Sequence, residues 1–497
     1  MNRIFKSAFT VASIGTLTRL VAFGYKIFLS RAMGASNLGS YQIALSVFFT
    51  LTTISSSGIP LVLSRKIAVE GDPKERNKLV TSAVVLGEVI AFTLCVSLAL
   101  FPGIRGLIVK GTSAEILLML LPASLSSTLY AVIRARFWGL GRFSAYSVTE
   151  TLEGLLRMAL GIALVSTNAF GETFVGATVA FVVSDFVSAV VLFVLYLIDG
   201  GGFSAPKRII PIARGAIPMT SVRFFAELIT SLTAVILPRV MISAGTSASE
   251  ALADFGRMSG MALPVLMAPT TIIGALSVVL VPEIAGDNAR RDLRAVKRKL
   301  STALSFAALT SCVAISVFLP LGKGIARLLF ADEKAGQLIS LSCPAMLVMN
   351  VGAVSSSCMN SLGLEGKTMR NYLLGASLTV LSVLTLPRYV GIYAMPIGLG
   401  LSHTLTCALN LCVLKKNIGL SSAPLKATGL GILCAVSASS VAWTGLRILP
   451  FTSLVNVLIT GLTAVAVCLV LMSLLGASET KYLLMAIKKR PKNRGAR

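Results

Sequence analysis

Long apolar runs separated by short basic segments are the feature that most limits how this chain of 497 residues can fold. A helix of about 20 apolar residues spans the hydrocarbon core of a bilayer. Only 13% of the residues are charged, against about 25% in soluble domains, so the chain lacks the side chains for a water-soluble surface. We therefore predict an all-α polytopic membrane protein with about 14 transmembrane helices. The predicted spans lie near 9–30, 40–63, 79–101, 115–137, 147–168, 174–198, 216–242, 258–281, 300–321, 337–361, 371–388, 391–414, 427–449 and 453–475.

The lysines and arginines predict the orientation of these helices. Segments on the side of the N-terminus carry 31 of them, and segments on the opposite side carry 10. Because cytoplasmic loops are enriched in basic residues, both termini are predicted to lie in the cytoplasm. The net charge of +25 is spread over many segments rather than concentrated in one basic module, so no nucleic-acid partner is expected. The basic tail 477–497 is expected to contact anionic membrane lipids.

The sequence contains no pattern typical of a metal site, a cofactor site or a catalytic centre. Its eight cysteines lie in or beside apolar runs without a C-x-x-C pair, and there is a single histidine. No nucleophile elbow and no phosphate-binding glycine loop occurs. We therefore predict no catalytic residue, no metal, no cofactor and no enzymatic activity. A membrane enzyme acting on lipid-linked sugars stays an alternative, which the short outer loops disfavour.

Similar sequence features in the two halves predict an internal repeat, which in transporters often encloses the substrate site. Leu121-Pro122-Ala123 in the fourth span corresponds to Cys343-Pro344-Ala345 in the tenth, and a Gly-Leu turn with a basic residue follows both. Because both halves have six predicted spans and the same orientation in the membrane, the repeat is expected to be parallel. The predicted organisation is given by five ranges. They are a six-helix lobe 1–198, a cytoplasmic linker 199–214, a six-helix lobe 215–416, two extra helices 425–476 and the tail 477–497.

Several stretches resemble the stage V sporulation protein B family. They are Thr18–Leu20, Leu29–Ala35, Leu38–Gln42, Ser57–Pro60, Phe255–Pro264, Ala275–Ser277 and Val281–Glu283. This family belongs to the superfamily of multidrug/oligosaccharidyl-lipid/polysaccharide exporters, alongside the lipid II flippases. The resemblance covers most of residues 1–416, and its most specific part is 255–283.

The resemblance implies a V-shaped transporter of the bacterial plasma membrane that works by alternating access. Its expected substrate is a polyprenyl-diphosphate-linked oligosaccharide, with the peptidoglycan precursor lipid II favoured, and cell-wall synthesis proteins are candidate partners. Export of another lipid-linked polysaccharide unit, and export of drugs or cations, stay open as alternatives. Sporulation-specific and vegetative roles are equally compatible with these residues.

Ionisable residues inside predicted spans are candidates for function, because burying a charge in a bilayer is costly. Arg19 and Lys26 lie seven residues apart in the first span and share a helix face. Arg223 and Glu227 have i, i+4 spacing in the seventh span, so we expect them to lie side by side. Arg19, Lys26 and Arg223 are predicted to bind the diphosphate, with Arg223 facing Arg19 from the other lobe. Glu227 is a candidate for ion coupling.

Three further candidates for coupling or charge pairing lie in the fifth and sixth spans. Glu153 and Arg157 also have i, i+4 spacing, which predicts an ion pair. Asp185 and His403 occupy equivalent positions of the repeat, each after a serine, and either side chain is able to change charge during transport. A hydrogen-bonded structural histidine is the alternative reading of His403.

Overall fold

The computed structural model describes residues 2–109, 111–207, 209–419, 422–448 and 454–475, and within them it is almost entirely helical. Two compact units divide the chain, one ending at Gly260 and the other beginning at Met261. The helices of the first unit are α1 (Asn2–Ser56), α2 (Gly58–Val69), α3 (Pro73–Leu100), α4 (Pro102–Ile108), α5 (Thr112–Gly139), α6 (Phe143–Ser166), α7 (Thr173–Ile198), α8 (Ile209–Ser243) and α9 (Ala248–Gly256).

A π-helix, Arg257–Ala262, runs across the boundary between the units. The helices that follow are α10 (Leu263–Met267), α11 (Thr270–Ala289), α12 (Leu293–Phe330), α13 (Glu333–Ser342), α14 (Ala345–Ser361), α15 (Glu365–Thr385), α16 (Pro387–Val390), a 3-10 turn (Gly391–Tyr393), α17 (Ala394–Ile418), α18 (Ala423–Ile448) and α19 (Leu454–Leu474). The tail 477–497 lies outside the described residues.

Each predicted span falls on one helix or on consecutive helical segments. The first two spans are joined in α1, which breaks at Gly34, where φ is 71° and the backbone is no longer helical. Within the described residues, nine helices are long and apolar enough to cross a bilayer. The number rises to ten if α13 and α14, which are bent by 55°, form one span. The all-helical membrane fold is confirmed, and the count of fourteen stays a prediction.

Short polar side chains begin several helices. Asp72, Asp292 and Asp332 accept hydrogen bonds from the backbone amides of Lys74, Ala295 and Ala335, at 2.9, 3.0 and 2.9 Å, at the starts of α3, α12 and α13. These bonds satisfy amides that have no partner within the helix, which defines where each helix begins.

Corresponding helices of the two units pack in the same order. In the first unit α7 packs against α5 and α6, and in the second unit α17 packs against α14 and α15. This is the packing that a parallel repeat requires. However, α8 and α9 pack against α1 and so belong to the first unit, whereas the sequence reading placed them in the second lobe. The division into transport lobes therefore stays a prediction.

The predicted linker is shorter than expected and is bound to the first unit. Helix α8 begins at Ile209, so the non-helical part covers 199–207. The Tyr196 hydroxyl donates to the Gly202 carbonyl at 2.7 Å, and the amide of Ser204 donates to Thr81 Oγ1 at 3.0 Å. The amide of Lys207 donates to Ser82 Oγ at 3.2 Å. These bonds join the segment to α3 and α7.

Candidate functional site

A group of ionisable and hydroxyl side chains lies among α5, α6 and α7 in the first unit. Arg157 forms an ion pair with Glu153, one turn earlier on α6, as the spacing predicts. The Arg157 Nε also donates to Ser184 Oγ on α7 at 3.1 Å. Its guanidinium lies 4.1 Å from the centre of the Phe181 ring, which adds a cation–π contact. Arg157 is therefore held on three sides.

Asp185 belongs to the same group and is buried on α7. It accepts hydrogen bonds from Ser126 and Ser127 on α5, the latter at 2.8 Å. The positive charge of Arg157 acts on Asp185 as well as on Glu153. We call Glu153, Arg157 and Asp185 the charge cluster. With both acids ionised it carries one net negative charge, so it is suited to take up a proton or a small cation.

Lys26 on α1 and Arg223 on α8 differ from the charge cluster, because neither forms an ion pair within the described residues. Lys26 is exposed and has no ion-pair partner in the part of the chain that the structure describes. The side chain of Arg19 lies outside the described residues. Next to Lys26, Tyr25 is buried against Gly161 of α6, so closely that a Cβ at Gly161 would lie 2.0 Å from the tyrosine hydroxyl. This contact holds α1 against α6.

Arg223 and Glu227 lie one turn apart on α8, as their spacing requires. Arg223 is exposed, Glu227 is half-buried, and no ion pair joins them within the described residues. Spacing of i, i+4 brings two side chains within reach, but an exposed pair gains too little energy to fix both rotamers. Helix α8 also packs along α1, with the Thr50 hydroxyl donating to the Glu227 carbonyl at 3.1 Å. Arg223 and Arg19 therefore belong to one unit rather than to opposite ones.

The equivalent region of the second unit contains a network of neutral polar side chains, with Arg370 at its edge donating to Asn371 Oδ1 at 3.4 Å. Asn371 donates to Asn410 Oδ1 at 3.0 Å, and Asn410 donates to Ser355 and Ser356 at 3.1 and 3.0 Å. His403 lies half-buried on α17, next to the buried Ser402. Its equivalence to Asp185 in the repeat and its role stay predictions. The asparagines inside the predicted spans are the sequence signal for this network, and ionisable residues alone do not indicate it.

Glu88 on α3 was also missed. It is the only charged residue of the predicted span 79–101. One of its carboxylate oxygens, Oε1, is buried and makes no hydrogen bond within the described residues. A lone acid inside an apolar run was a sufficient signal, because such groups are rare unless they have a function.

A model of the family described as "Polysaccharide biosynthesis protein" matches residues 4–286, more than half of the chain. The chain belongs to this family. Stage V sporulation protein B of Bacillus subtilis (strain 168) is 23% identical over 391 residues, 75% of this chain and 75% of that protein. Sporulation protein YkvU of the same organism is 22% identical over 365 residues, 69% of this chain and 76% of that protein. The resemblance seen in the sequence is confirmed.

Two solved structures show the fold of this family member. The lipid II flippase MurJ, in an inward closed conformation, matches with a TM-score of 0.74 and 15% identity, over 95% of this chain and 99% of that one. An inward-facing multidrug resistance MATE family transporter of the MOP superfamily matches with a TM-score of 0.67 and 18% identity, over 82% and 96%. The chain is thus a multi-pass membrane protein with a transporter fold, and both of these matched structures are of transporters rather than enzymes.

Proposed function

We propose that this protein is a flippase that moves lipid II, a polyprenyl-diphosphate-linked oligosaccharide, from the inner to the outer leaflet by alternating access. The family is named for polysaccharide biosynthesis, and one structural neighbour is a lipid II flippase. The observation that carries the proposal is the pair of exposed cations on α1 and α8, Lys26 and Arg223, which have no ion-pair partner within the described residues.

A cation in a membrane-spanning helix is costly unless an anion or water compensates it. A diphosphate provides two or more negative charges, which suit an ammonium and a guanidinium in a site of low dielectric constant. The alternative substrates of this fold, organic cations, would be repelled by the same two side chains. The charge of Lys26 and Arg223 therefore favours an anionic substrate over drug export.

The charge cluster is proposed to couple transport to an ion. Glu153 and Asp185 share the single cation Arg157. Uptake of a proton or a sodium ion would neutralise the remaining negative charge and weaken the hold of the acids on Arg157. The membrane potential also favours outward movement of the substrate. The free energy of each negative charge falls by about 2.3 kcal/mol per 100 mV when the charge leaves an inside-negative cell.

Reconstitution in liposomes tests the function directly. Labelled lipid II is placed in the inner leaflet, and its exposure to an impermeant external enzyme is measured over time. We expect exposure that depends on the protein, and a loss of at least tenfold in rate for Lys26→Gln and Arg223→Gln. Arg65→Gln is the matched control, because Arg65 is an exposed cation near the end of α2 in the same unit. Normal flipping by both variants, or efflux of a cationic dye without exposure of lipid II, would refute the proposal.

The same liposomes test the coupling role of the charge cluster. Asp185→Asn should remove the response of the flipping rate to an imposed proton or sodium gradient while leaving a basal rate. Ser127→Ala is the control, because it removes one hydrogen bond to Asp185 but keeps the acid. A gradient response that persists in Asp185→Asn and Glu153→Gln would show that the cluster is structural.

The proposed direction also requires a particular orientation. Reporter fusions after Lys74 and Lys297 are expected to lie in the cytoplasm, and fusions near Lys110 and Glu333 outside. A fusion at the C-terminus that reports the outside would contradict an even number of spans.

A further inference from the structure

The second unit has a cavity of about 580 Å³ that none of the proposed transport steps uses. It lies between the end of α12, the length of α13 and the end of α18. By the distribution of basic residues, this end faces the outside of the cell. Its size is within the range of small-ligand pockets, about 300–1,000 Å³.

The base of this cavity is a tight helix crossing. A Cβ at Gly322 of α12 would lie 2.7 Å from the Gly336 carbonyl of α13, and a Cβ at Gly336 would lie 2.4 Å from the Cα of Lys323. The hydroxyl of Ser340 on α13 donates to the Phe318 carbonyl on α12 at 3.2 Å. Because the two backbones touch, the Cα positions of the lining residues on α12 and α13 are fixed relative to one another.

The polar part of the lining has a surplus of positive charge. Arg327 forms an ion pair with Glu333, so the one carboxylate of the lining is already occupied. Lys323 is exposed and has no ion-pair partner within the described residues. Gln337 is exposed beside them, and its amide is able to donate to a hydroxyl or phosphate oxygen. The lining therefore carries two cations against one carboxylate, which favours an anion over an ammonium group.

The other part of the lining consists of apolar side chains that are exposed on the surface of the protein. Leu341 is 64% exposed, Trp443 54% and Leu319 39%. In a membrane such side chains lie against acyl chains, and tryptophan prefers the boundary between headgroups and hydrocarbon. Cations on one side and apolar side chains on the other match a lipid that has a phosphate at its headgroup.

We propose that this cavity binds the headgroup of an anionic glycerophospholipid whose head is small and hydroxylated, as in phosphatidylglycerol. Lys323 and Arg327 face the phosphate, Gln337 the headgroup hydroxyls, and Leu341 and Trp443 the first acyl carbons. The bound lipid bridges α18 to α12 and α13, and thus holds the last two helices against the rest of the unit. The disaccharide–peptide head of lipid II is too large for this cavity, so the site is independent of the transported substrate.

The tryptophans provide a local reporter. The chain has two, Trp138 and Trp443, so Trp138→Phe leaves Trp443 as the sole source of tryptophan fluorescence. This variant is reconstituted in phosphatidylcholine vesicles that contain brominated phosphatidylglycerol, brominated phosphatidylethanolamine or brominated phosphatidylcholine at equal mole fraction. Bromine quenches indole only at short range. We expect quenching by phosphatidylglycerol to be at least twofold stronger than quenching by the other two lipids.

Lys323→Gln and Arg327→Gln should each remove this preference, whereas Arg388→Gln should keep it. Arg388 is a matched control because it is an exposed cation on α16, on the same predicted side of the membrane and in the same unit. Equal quenching by the three lipids, or a preference unchanged in Lys323→Gln, would overturn the proposal. Relief of quenching by inorganic phosphate would also overturn it, because the ligand would then be free phosphate. Elution as a single species in size-exclusion chromatography verifies that each variant is folded.

Discussion

Replacing Gly39 by alanine adds a methyl group where α1 and α9 approach most closely. The new Cβ would lie 2.0 Å from the Leu252 carbonyl oxygen, whereas real Cβ atoms essentially never come closer than 3.0 Å. The reciprocal position, Gly256, is equally tight, with a Cβ 2.1 Å from the Ala35 carbonyl oxygen. The two helices must therefore move apart by about 1 Å, and overpacking of this kind typically costs about 1–3 kcal/mol.

Gly24 on the same helix is the control. A Cβ there meets nothing within 4 Å. Alanine at Gly24 should stabilise the helix by about 0.5–1 kcal/mol, because glycine loses more backbone entropy on folding. The same gain is present in Gly39→Ala but is outweighed by the clash. We therefore expect the two variants to differ by about 2 kcal/mol, with opposite signs relative to the unchanged protein.

This difference is measured by thermal unfolding in detergent. The readout is the loss of the monodisperse peak in size-exclusion chromatography as the temperature rises. The double variant Gly39→Ala/Gly256→Ala should lose less than the sum of the single losses, because one separation of the helices relieves both clashes. If Gly39→Ala is as stable as Gly24→Ala, α1 and α9 are not in backbone contact, and the explanation is refuted.

Four further predictions concern a lone buried acid, two ion pairs and the two extra helices. Glu88→Leu should raise the unfolding temperature, since a buried acid oxygen without a hydrogen bond costs about 1–3 kcal/mol; a lower temperature would reveal an undetected partner. Asp199→Asn should destabilise the protein by about 3 kcal/mol, because it leaves Arg136, only 7% exposed, without its ion pair at 2.6 Å. Glu333→Gln, which breaks a well-exposed pair, should cost less than about 1 kcal/mol in the same assay. We propose that the two extra helices contact the polyprenyl tail, because a long apolar chain does not follow its headgroup through a polar cavity. Deleting 425–476 should therefore stop flipping of a substrate with a full polyprenyl tail but spare a short-chain analogue, and equal loss of both would show that α18 and α19 are needed for folding.

The sequence was a good guide to features that depend on neighbouring residues. Apolar run length predicts where helices occur, because a membrane-spanning segment must satisfy its own backbone hydrogen bonds. The Glu153–Arg157 pair follows from spacing on one helix, and it is present. Arg223 and Glu227 have the same spacing but form no ion pair within the described residues. Spacing brings two side chains within contact distance, and their surroundings decide whether the ion pair forms.

Contacts between segments that are far apart in the chain could not be predicted from the sequence. The hydroxyls that bind Asp185 come from α5, and the backbone that touches Gly39 comes from α9. The two segments that meet at Gly39 and Gly256 are also among those that carry the family resemblance. A single sequence shows that both segments contain glycine, but it does not show that each glycine leaves space for the other helix.

The hydrogen bonds of 199–207 to the first unit determine where this protein can be split into two co-expressed fragments. Three successive glycines invite a cut or an inserted tag at Gly200–Gly202. The amide of Gly202 and the amides of Ser204 and Lys207 are nevertheless hydrogen-bonded to side chains of the first unit. A chain divided there would leave the N-terminal fragment without the segment that covers Tyr196, and would give the other fragment an apolar end at Phe203. Co-expressed fragments that are to reassemble should instead be divided after Leu420, beyond α17, so that 199–207 stays on the piece that it stabilises.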